Sequence, residues 1–207
     1  MTKGLLQSLD KDKKRGVVLI RNGETEMNEK DVVRGWTETC LDDEGEAHAR
    51  KLGKSLKGSK IDCIIASDLL RTMQTAMIVS KESGIPIVAL SPNLHTWNVG
   101  DFTGKPTETA DPILEEMAVE EPDKQIKGGE SFNNFKTRFL LQVLALMNEY
   151  SDKTIAFVVH GRNLAVMNAW KEAGYPEDFE LDEDNLGYDE FPPASAHEFI
   201  ISSSLLI

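Results

Sequence analysis

Residues 17–28 read VVLIRNGETEMN, an apolar run that turns abruptly polar. The four residues from Val17 to Ile20 are apolar and mostly β-branched, which is typical of a strand buried on both faces of a parallel sheet. Arg21, Asn22 and Gly23 follow directly. The stretch therefore predicts a central strand whose carboxyl end carries polar side chains.

The rest of the chain alternates short apolar runs with helical patterns, which indicates an α/β fold. We expect a three-layer α/β/α sandwich with a mostly parallel central sheet. Strands are predicted over 61–66, 85–90, 154–159 and 196–203, and helices over 43–57, 69–83, 131–150 and 162–173. Residues 91–130 are rich in Gly and Pro, with a short acidic helix predicted near 112–121, and we expect them to form a lid-like insertion.

The organisation of the chain fits one domain over residues 16–207. Residues 1–15 are predicted to be a flexible basic leader, because their basic residues follow the apolar ones, the wrong order for a secretory signal. The aromatic side chains of Phe132, Phe135 and Phe139 recur at helical spacing and predict a helix that faces the core. Residues 177–190 hold eight carboxylates and predict a solvated loop.

Composition narrows the classes of partner. The chain has 207 residues, with 23 Lys and Arg against 35 Asp and Glu, and a net charge of −12. Acidic surfaces repel nucleic-acid polymers and anionic membranes, so neither is expected as a partner. Cys40 and Cys63 are too few for a disulfide framework and predict reduced thiols in a cytoplasmic protein. A homodimer is left open.

Residues whose side chains can bind a ligand or react with it follow three of the predicted strands. They are Arg21 and Asn22 after the first, Arg71 shortly after the second, and His160 after the fourth. Ligands bind at the carboxyl ends of strands in open α/β sheets, so these side chains are expected to converge. Arginine is suited to bidentate contacts with phosphate, and the sequence therefore predicts a site for one small phosphorylated ligand.

Six segments in this order resemble the histidine phosphatase superfamily, also called the phosphoglycerate-mutase-like family. They read VVLIRNGETEMN, RGWTETCLDDEGEAHA, IIASDLLRTMQTA, NVGDFTGK, GGESFNNFKTRF and FVVHGRNLAVM. The resemblance implies phosphoryl transfer through a phosphohistidine, without a metal or a cofactor. It assigns Arg21 and Arg71 as phosphate clamps and His160 as the second catalytic histidine. The expected substrate-binding residues are Asn28, Arg34, Gly35, Thr96, Asn98 and Gly161.

The sequence departs from the family pattern at the two positions that make and break bonds. The nucleophile position holds Asn22, whose amide nitrogen has no lone pair available to attack phosphorus. The position of the general acid holds Thr96 in one family pattern and Asn98 in the other, and neither is a carboxylate. Asp101 is the nearest acid and a weak candidate.

These departures leave several functions open. The first is a phosphomonoester hydrolase that acts on a small phosphorylated metabolite or nucleotide and is inactivated at Asn22, by engineering or by natural loss. The second is a pseudophosphatase that binds a phosphorylated ligand without turning it over. A phosphoglycerate mutase ranks lower, because the predicted lid is acidic. A dinucleotide-binding protein ranks lowest, because no glycine-rich fingerprint follows the first strand.

Overall fold

A five-stranded sheet forms the centre of the computed structural model, which describes residues 14–176 and 191–202. The strands are β1 (Lys14–Arg21), β2 (Cys63–Ala66), β3 (Ile87–Leu90), β4 (Ile155–Val159) and β5 (Ala196–Ser202). Their order in the sheet is β3-β2-β4-β1-β5. The first four run parallel, and β5 pairs antiparallel with β1. The predicted α/β fold with a mostly parallel sheet is confirmed.

Helices cover both faces of the sheet. They are α1 (Glu26–Glu29), α2 (Asp43–Ser55), α3 (Leu70–Ser83), α4 (Thr107–Glu120), α5 (Phe132–Glu149) and α6 (Gly161–Glu172). Successive strand residues point to opposite faces. Leu19 and Phe157 therefore join the core beneath α4, α5 and α6, whereas Ile20 and Val158 join the core beneath α3. The two cores give the three layers that the sequence predicts.

The α5 helix begins as its sequence predicts. Ser131 is its N-cap, and the Ser131 hydroxyl accepts a hydrogen bond from the Asn134 amide at 3.2 Å. The side chains of Phe132, Phe135 and Phe139 are buried, which confirms the core-facing interpretation of the aromatic stripe. Trp97 packs edge-on against Phe132, with the ring centroids 5.0 Å apart.

The predicted lid-like insertion is more firmly packed than the sequence indicated. Leu94 and Trp97 are buried in the main core, and α4 contributes Leu114 to the same core. The α4 helix begins at Thr107, five residues before the predicted start, and holds Pro112 in its interior. The predicted start was wrong because proline favours the start of a helix, whereas here Pro106 is the N-cap and Pro112 lies inside the helix.

The ends of the domain differ from the expectation by a few residues. β1 begins at Lys14, so Lys14 and Arg15 belong to the strand and not to the predicted leader. The Arg15 guanidinium donates a hydrogen bond to the Tyr150 carbonyl at 3.0 Å. Residues 1–13 and the predicted loop 177–190 lie outside the described residues. None of the helices within residues 14–176 and 191–202 is both long enough and apolar enough to cross a membrane.

The turn after β1 is packed against α2 through two glycines. The Gly23 amide donates to the Thr75 hydroxyl at 3.0 Å. A Cβ atom on Gly23 would lie 2.8 Å from the Gly45 carbonyl oxygen, and one on Gly45 would lie 2.3 Å from the Glu24 carbonyl oxygen. Only residues without a side chain allow these backbones to approach so closely. The contact sets the position of Asn22.

We predict that Gly45→Ala destabilises the protein despite the better helix propensity of alanine. The added methyl group meets backbone atoms that cannot move freely, so the free energy of unfolding should fall by about 2–3 kcal/mol. The control is Gly16→Ala, since a Cβ on Gly16 meets nothing within 4 Å. Chemical denaturation measures both. Equal stability of the two variants would show that the turn and α2 are not tightly packed.

Candidate functional site

Three parallel strands end side by side at one edge of the sheet. β2, β4 and β1 are neighbours in the sheet. Ser67 follows β2, His160 follows β4, and Arg21 is the last residue of β1. The Ser67 amide donates to the Val158 carbonyl at 3.0 Å, and the Asn22 amide donates to the Val159 carbonyl at 2.9 Å. The sheet thus holds all three strand ends in register, and they converge as the sequence predicts.

A cavity of about 490 Å³ opens at this edge. Its volume lies in the range of small-molecule sites, roughly 300–1,000 Å³. Nine of the ten predicted site residues line it, namely Arg21, Asn22, Asn28, Arg34, Gly35, Arg71, Thr96, His160 and Gly161. The cavity is therefore the candidate functional site.

Asn22 lies at the end of β1 and is buried. Its side-chain nitrogen donates a hydrogen bond to the Gly23 carbonyl at 2.7 Å. An amide can donate or accept a hydrogen bond, but its nitrogen is not a nucleophile. Asn22 can therefore contact a ligand in the cavity without forming a covalent bond to it.

Arg71 carries a buried positive charge on the first turn of α3. Its side chain is only 2% exposed and donates hydrogen bonds to the carbonyls of Thr37 at 2.9 Å and Gly35 at 2.8 Å. No carboxylate of the described residues lies within ion-pair distance of it. Burial, followed by the nearby charge of Arg34, lowers the pKa of Arg71 to about 9. The guanidinium is still charged at neutral pH, and an anion in the cavity would stabilise it.

His160 is the N-cap residue of α6 and is only 3% exposed. Its Nε2 lies 3.0 Å from the Ser67 hydroxyl, and its Nδ1 has no hydrogen-bond partner among the described residues. Burial lowers the pKa of His160 well below its usual value, and the charge of Arg71 lowers it further. The imidazole is therefore neutral at neutral pH, with one buried nitrogen available to a ligand.

The rim of the cavity is formed by the segments after β1. Asn28 belongs to a capping box in which its side-chain oxygen accepts hydrogen bonds from the Thr25 amide at 3.0 Å and the Thr25 hydroxyl at 2.9 Å. Its side-chain nitrogen is left as the donor. Gly35 has a positive φ of 49°. This left-handed backbone turns the Gly35 carbonyl to Arg71 and places Arg34 at the cavity.

An ion pair fixes the segment that contains Thr96. Arg138 and Glu130 are both largely buried and lie 2.7 Å apart. The Arg138 guanidinium also donates to the carbonyls of His95 at 3.2 Å and Thr96 at 3.3 Å, and Glu130 accepts a hydrogen bond from the Asn98 amide at 3.0 Å. The pair therefore holds the segment by its backbone and leaves the Thr96 side chain at the cavity wall.

Two residues predicted from this segment lie away from the cavity, which corrects the expectation. Asn98 does not line it, because its side-chain oxygen turns back to accept a hydrogen bond from the Gly100 amide at 3.2 Å. Asp101, the weak acid candidate, is exposed outside the cavity and pairs with Lys127 at 3.2 Å. The chain is irregular here, so spacing alone could not show which side chains point inward.

Sequence reasoning missed the outer wall of the cavity. Asp31 and three residues of α4, namely Glu108, Asp111 and Glu115, line it together with Arg162. The Arg162 guanidinium donates to an Asp111 carboxylate oxygen at 2.6 Å. The spacing of Glu108, Asp111 and Glu115 in the sequence could have indicated this wall, because it places three carboxylates on one face of a helix.

One group of potential metal ligands lies outside the cavity. Single ligand atoms of Glu24, Glu44 and His48 lie within 4.8 Å of one another. Glu44 and His48 are exposed on α2, and none of the three lines the cavity. At the strand ends, the cavity is lined instead by arginines, amides and one neutral histidine, and this set of side chains suits an oxyanion.

The fold and the cavity define an α/β protein with a candidate anion site at the carboxyl ends of its parallel strands. The family model of the histidine phosphatase superfamily (branch 1) matches residues 17–188. The chain therefore belongs to the histidine phosphatase superfamily.

Its relatives carry the names of phosphatases and mutases. The chain is 29% identical to the "Uncharacterized phosphatase PhoE" of Bacillus subtilis, over 78% of this chain and 79% of that protein. It is 28% identical to the "Probable phosphoglycerate mutase GpmB" of Cronobacter sakazakii, over 73% and 72%. Among solved structures it resembles TTHB049 from Thermus thermophilus, with a TM-score of 0.64, 28% identity, and coverage of 88% and 92%.

We predict that His160 makes the protein less stable in mild acid. Because its pKa is lowered in the folded state, the unfolded chain takes up a proton below about pH 6.5 that the folded protein does not. The free energy of unfolding should fall with decreasing pH by up to about 1.4 kcal/mol per unit from this group. His160→Asn should flatten that slope, as measured by denaturation between pH 5 and 8 in steps of about half a unit. Parallel profiles of variant and parent would contradict the prediction.

We predict that Arg138→Gln is strongly destabilising. It leaves the Glu130 carboxylate buried without its partner, and such a loss typically costs about 3 kcal/mol or more. The matched control is Lys124→Gln, which breaks the exposed pair of Lys124 with Glu121 and should change stability by less than about 1 kcal/mol. Denaturant unfolding of both variants measures the difference. Similar losses would show that the Arg138 pair is not what holds the segment.

Proposed function

We propose that the chain is a phosphomonoester hydrolase of the histidine phosphatase type whose catalytic step is impaired at Asn22. Its cavity holds the phosphoryl group of a small phosphorylated metabolite or nucleotide. Membership of the superfamily and the phosphatase name of a relative support the reaction class. The proposal extends them to this chain and to this cavity.

The buried charge of Arg71 carries the proposal. Charged groups in protein interiors are paired, because an isolated charge is costly to remove from water. Arg71 is hydrogen-bonded to two carbonyls, yet no carboxylate of the described residues pairs with it. Arg21 lines the same cavity, and α6 begins there at Gly161, where a helix N-terminus favours negative charge. A phosphoryl group supplies the missing anion.

The impairment follows from two side chains. Asn22 stands where the family resemblance places the attacking histidine, and it cannot form a phosphohistidine. Thr96 stands where a carboxylic acid would protonate the leaving oxygen, and a hydroxyl is a very weak acid at neutral pH. The groups that bind phosphate are thus present in the cavity, whereas the groups that make and break bonds are replaced.

Thr96 also favours a second candidate function. A single engineered substitution could explain Asn22, but it would not explain Thr96 as well. The second replacement therefore supports a pseudophosphatase that binds a phosphorylated ligand without turnover. A mutase is less well supported, although one relative carries that name. The carboxylates at the cavity wall would repel the carboxylate of a phosphoglycerate.

We predict that Asn22→His restores turnover of an activated phosphate ester, and that an alkyl phosphate also requires Thr96→Glu. With p-nitrophenyl phosphate, whose leaving group departs without a proton, the single variant should release phosphate at a measurable rate where the parent does not. With an alkyl phosphate, the double variant Asn22→His with Thr96→Glu should exceed the single variant by about a hundredfold, the usual contribution of a general acid. Phosphate release measures both.

The controls separate the two candidate functions. Asn22→Gln preserves the amide and should stay inactive, and adding Arg71→Met to Asn22→His should abolish the restored activity. Phosphate binding without turnover in every variant would exclude the hydrolase and leave the pseudophosphatase. Absence of phosphate binding in the parent chain, as measured by calorimetry, would exclude both.

A further inference from the structure

The cavity has two walls of opposite charge. Its floor consists of Arg21, Arg71 and His160, which are all buried at the strand ends. Its outer side is lined by Asp31, Glu108, Asp111 and Glu115, which we call the acidic wall. A bare phosphate needs the floor only. The acidic wall faces whatever group the phosphate is attached to.

The acidic wall is turned toward the cavity by the packing of α4. Ala110, Leu114 and Ala118 lie on the neighbouring face of this helix and are buried in the main core. Glu108, Asp111 and Glu115 line the cavity as a consequence, whereas the remaining carboxylates of α4, Glu116 and Glu120, are exposed to solvent. The orientation of the helix is therefore fixed by its apolar face, and the charge at the cavity follows from it.

Backbone hydrogen bonds hold Asp31 beside the start of α4. The Thr107 amide donates to the Asp31 carbonyl at 2.7 Å, and the Val33 amide donates to the Lys105 carbonyl at 2.9 Å. Val32 and Pro106 form an antiparallel bridge between the same two segments. Asp31 and Glu108 thus belong to two segments that are paired through their backbones, and both residues line the cavity.

The negative charge of this wall is only partly compensated by the protein. Asp111 is paired with Arg162 at 2.6 Å. Asp31 and Glu108 are exposed and form no salt bridge within the part of the chain that the structure describes. The floor gives independent evidence that a ligand belongs here, because the buried His160 has an Nδ1 without a partner among the described residues and no described carboxylate pairs with Arg71.

We propose that the ligand is a phosphomonoester of a cationic alcohol, with its phosphoryl group on the floor and its ammonium group at Asp31 and Glu108. The inference rests on the proposed function, since it presumes that the floor binds phosphate. The acidic wall attracts the ammonium group and repels a carboxylate at the same position. It thereby selects amino-alcohol phosphates over neutral or acidic ones.

Three esters that differ only in their terminal group test this preference. Isothermal titration calorimetry at low ionic strength compares 2-aminoethyl phosphate, 2-hydroxyethyl phosphate and phosphoglycolate, with inorganic phosphate as the reference. The aminoethyl ester should bind about three- to tenfold more tightly than the hydroxyethyl ester, as two exposed ion pairs allow. Phosphoglycolate should bind most weakly. Added salt should reduce the preference, because exposed charges are screened.

Two double variants that remove the same charge test whether the preference for the aminoethyl ester comes from the acidic wall. Asp31→Asn with Glu108→Gln should bring the affinities for the aminoethyl and hydroxyethyl esters to within about twofold of each other, since it removes the exposed ion pairs. Glu116→Gln with Glu120→Gln removes the same charge from the solvent face of α4 and should keep the preference. This control also corrects for the change in net charge.

Each result decides between the two proposals. Binding of inorganic phosphate with equal affinity for the amino and hydroxy esters would overturn this inference and leave the proposed function intact. A preference that survives Asp31→Asn with Glu108→Gln would overturn its assignment to the acidic wall. Failure of inorganic phosphate and of all three esters to bind would overturn the proposed function itself.

Discussion

Arg71 brings a positive charge into the interior, where its hydrogen bonds go to the carbonyls of Gly35 and Thr37. These bonds tie the loop after α1 to the start of α3, so the shape of the cavity depends on them. The same charge, together with burial, keeps the His160 imidazole neutral. An anion in the cavity would relieve the cost of the buried charge and would favour a proton on His160. Binding of phosphate and protonation of the histidine are therefore expected to be coupled.

In the proposed function, the groups that hold a phosphate are distinct from the groups that would react with it. Arginines stabilise a phosphoryl group in the ground state and in the transition state, whereas a nucleophile and an acid act only along the reaction path. Under the proposed function, Asn22 in place of a histidine and Thr96 in place of a carboxylic acid remove the second set without adding bulk. Affinity for the ligand is then retained because the cavity still holds Arg21, Arg71 and His160.

The sequence predicted the floor of the site well because strand ends are simple to locate. Arg21 and His160 directly follow apolar runs, and neighbouring parallel strands must end at the same edge. The outer wall escaped prediction because exposed carboxylates such as Glu108 normally face solvent. Asn98 was misplaced for a related reason: in an irregular segment, no period shows which side chain points inward. Side chains on regular strands could be placed from the sequence, whereas those of the insertion depended on long-range packing.

The pairing of residues 31–33 with 104–107 joins two segments that lie far apart in the chain. The acidic wall therefore spans two segments that are joined to each other by backbone hydrogen bonds, and the apolar face of α4 packs them onto the main core. Such a wall can change its charge in the course of evolution without disturbing the strand ends beneath it. Under the proposed function, a new choice of leaving group would require alteration of Asp31 and of one face of α4, and the sheet could be inherited unchanged.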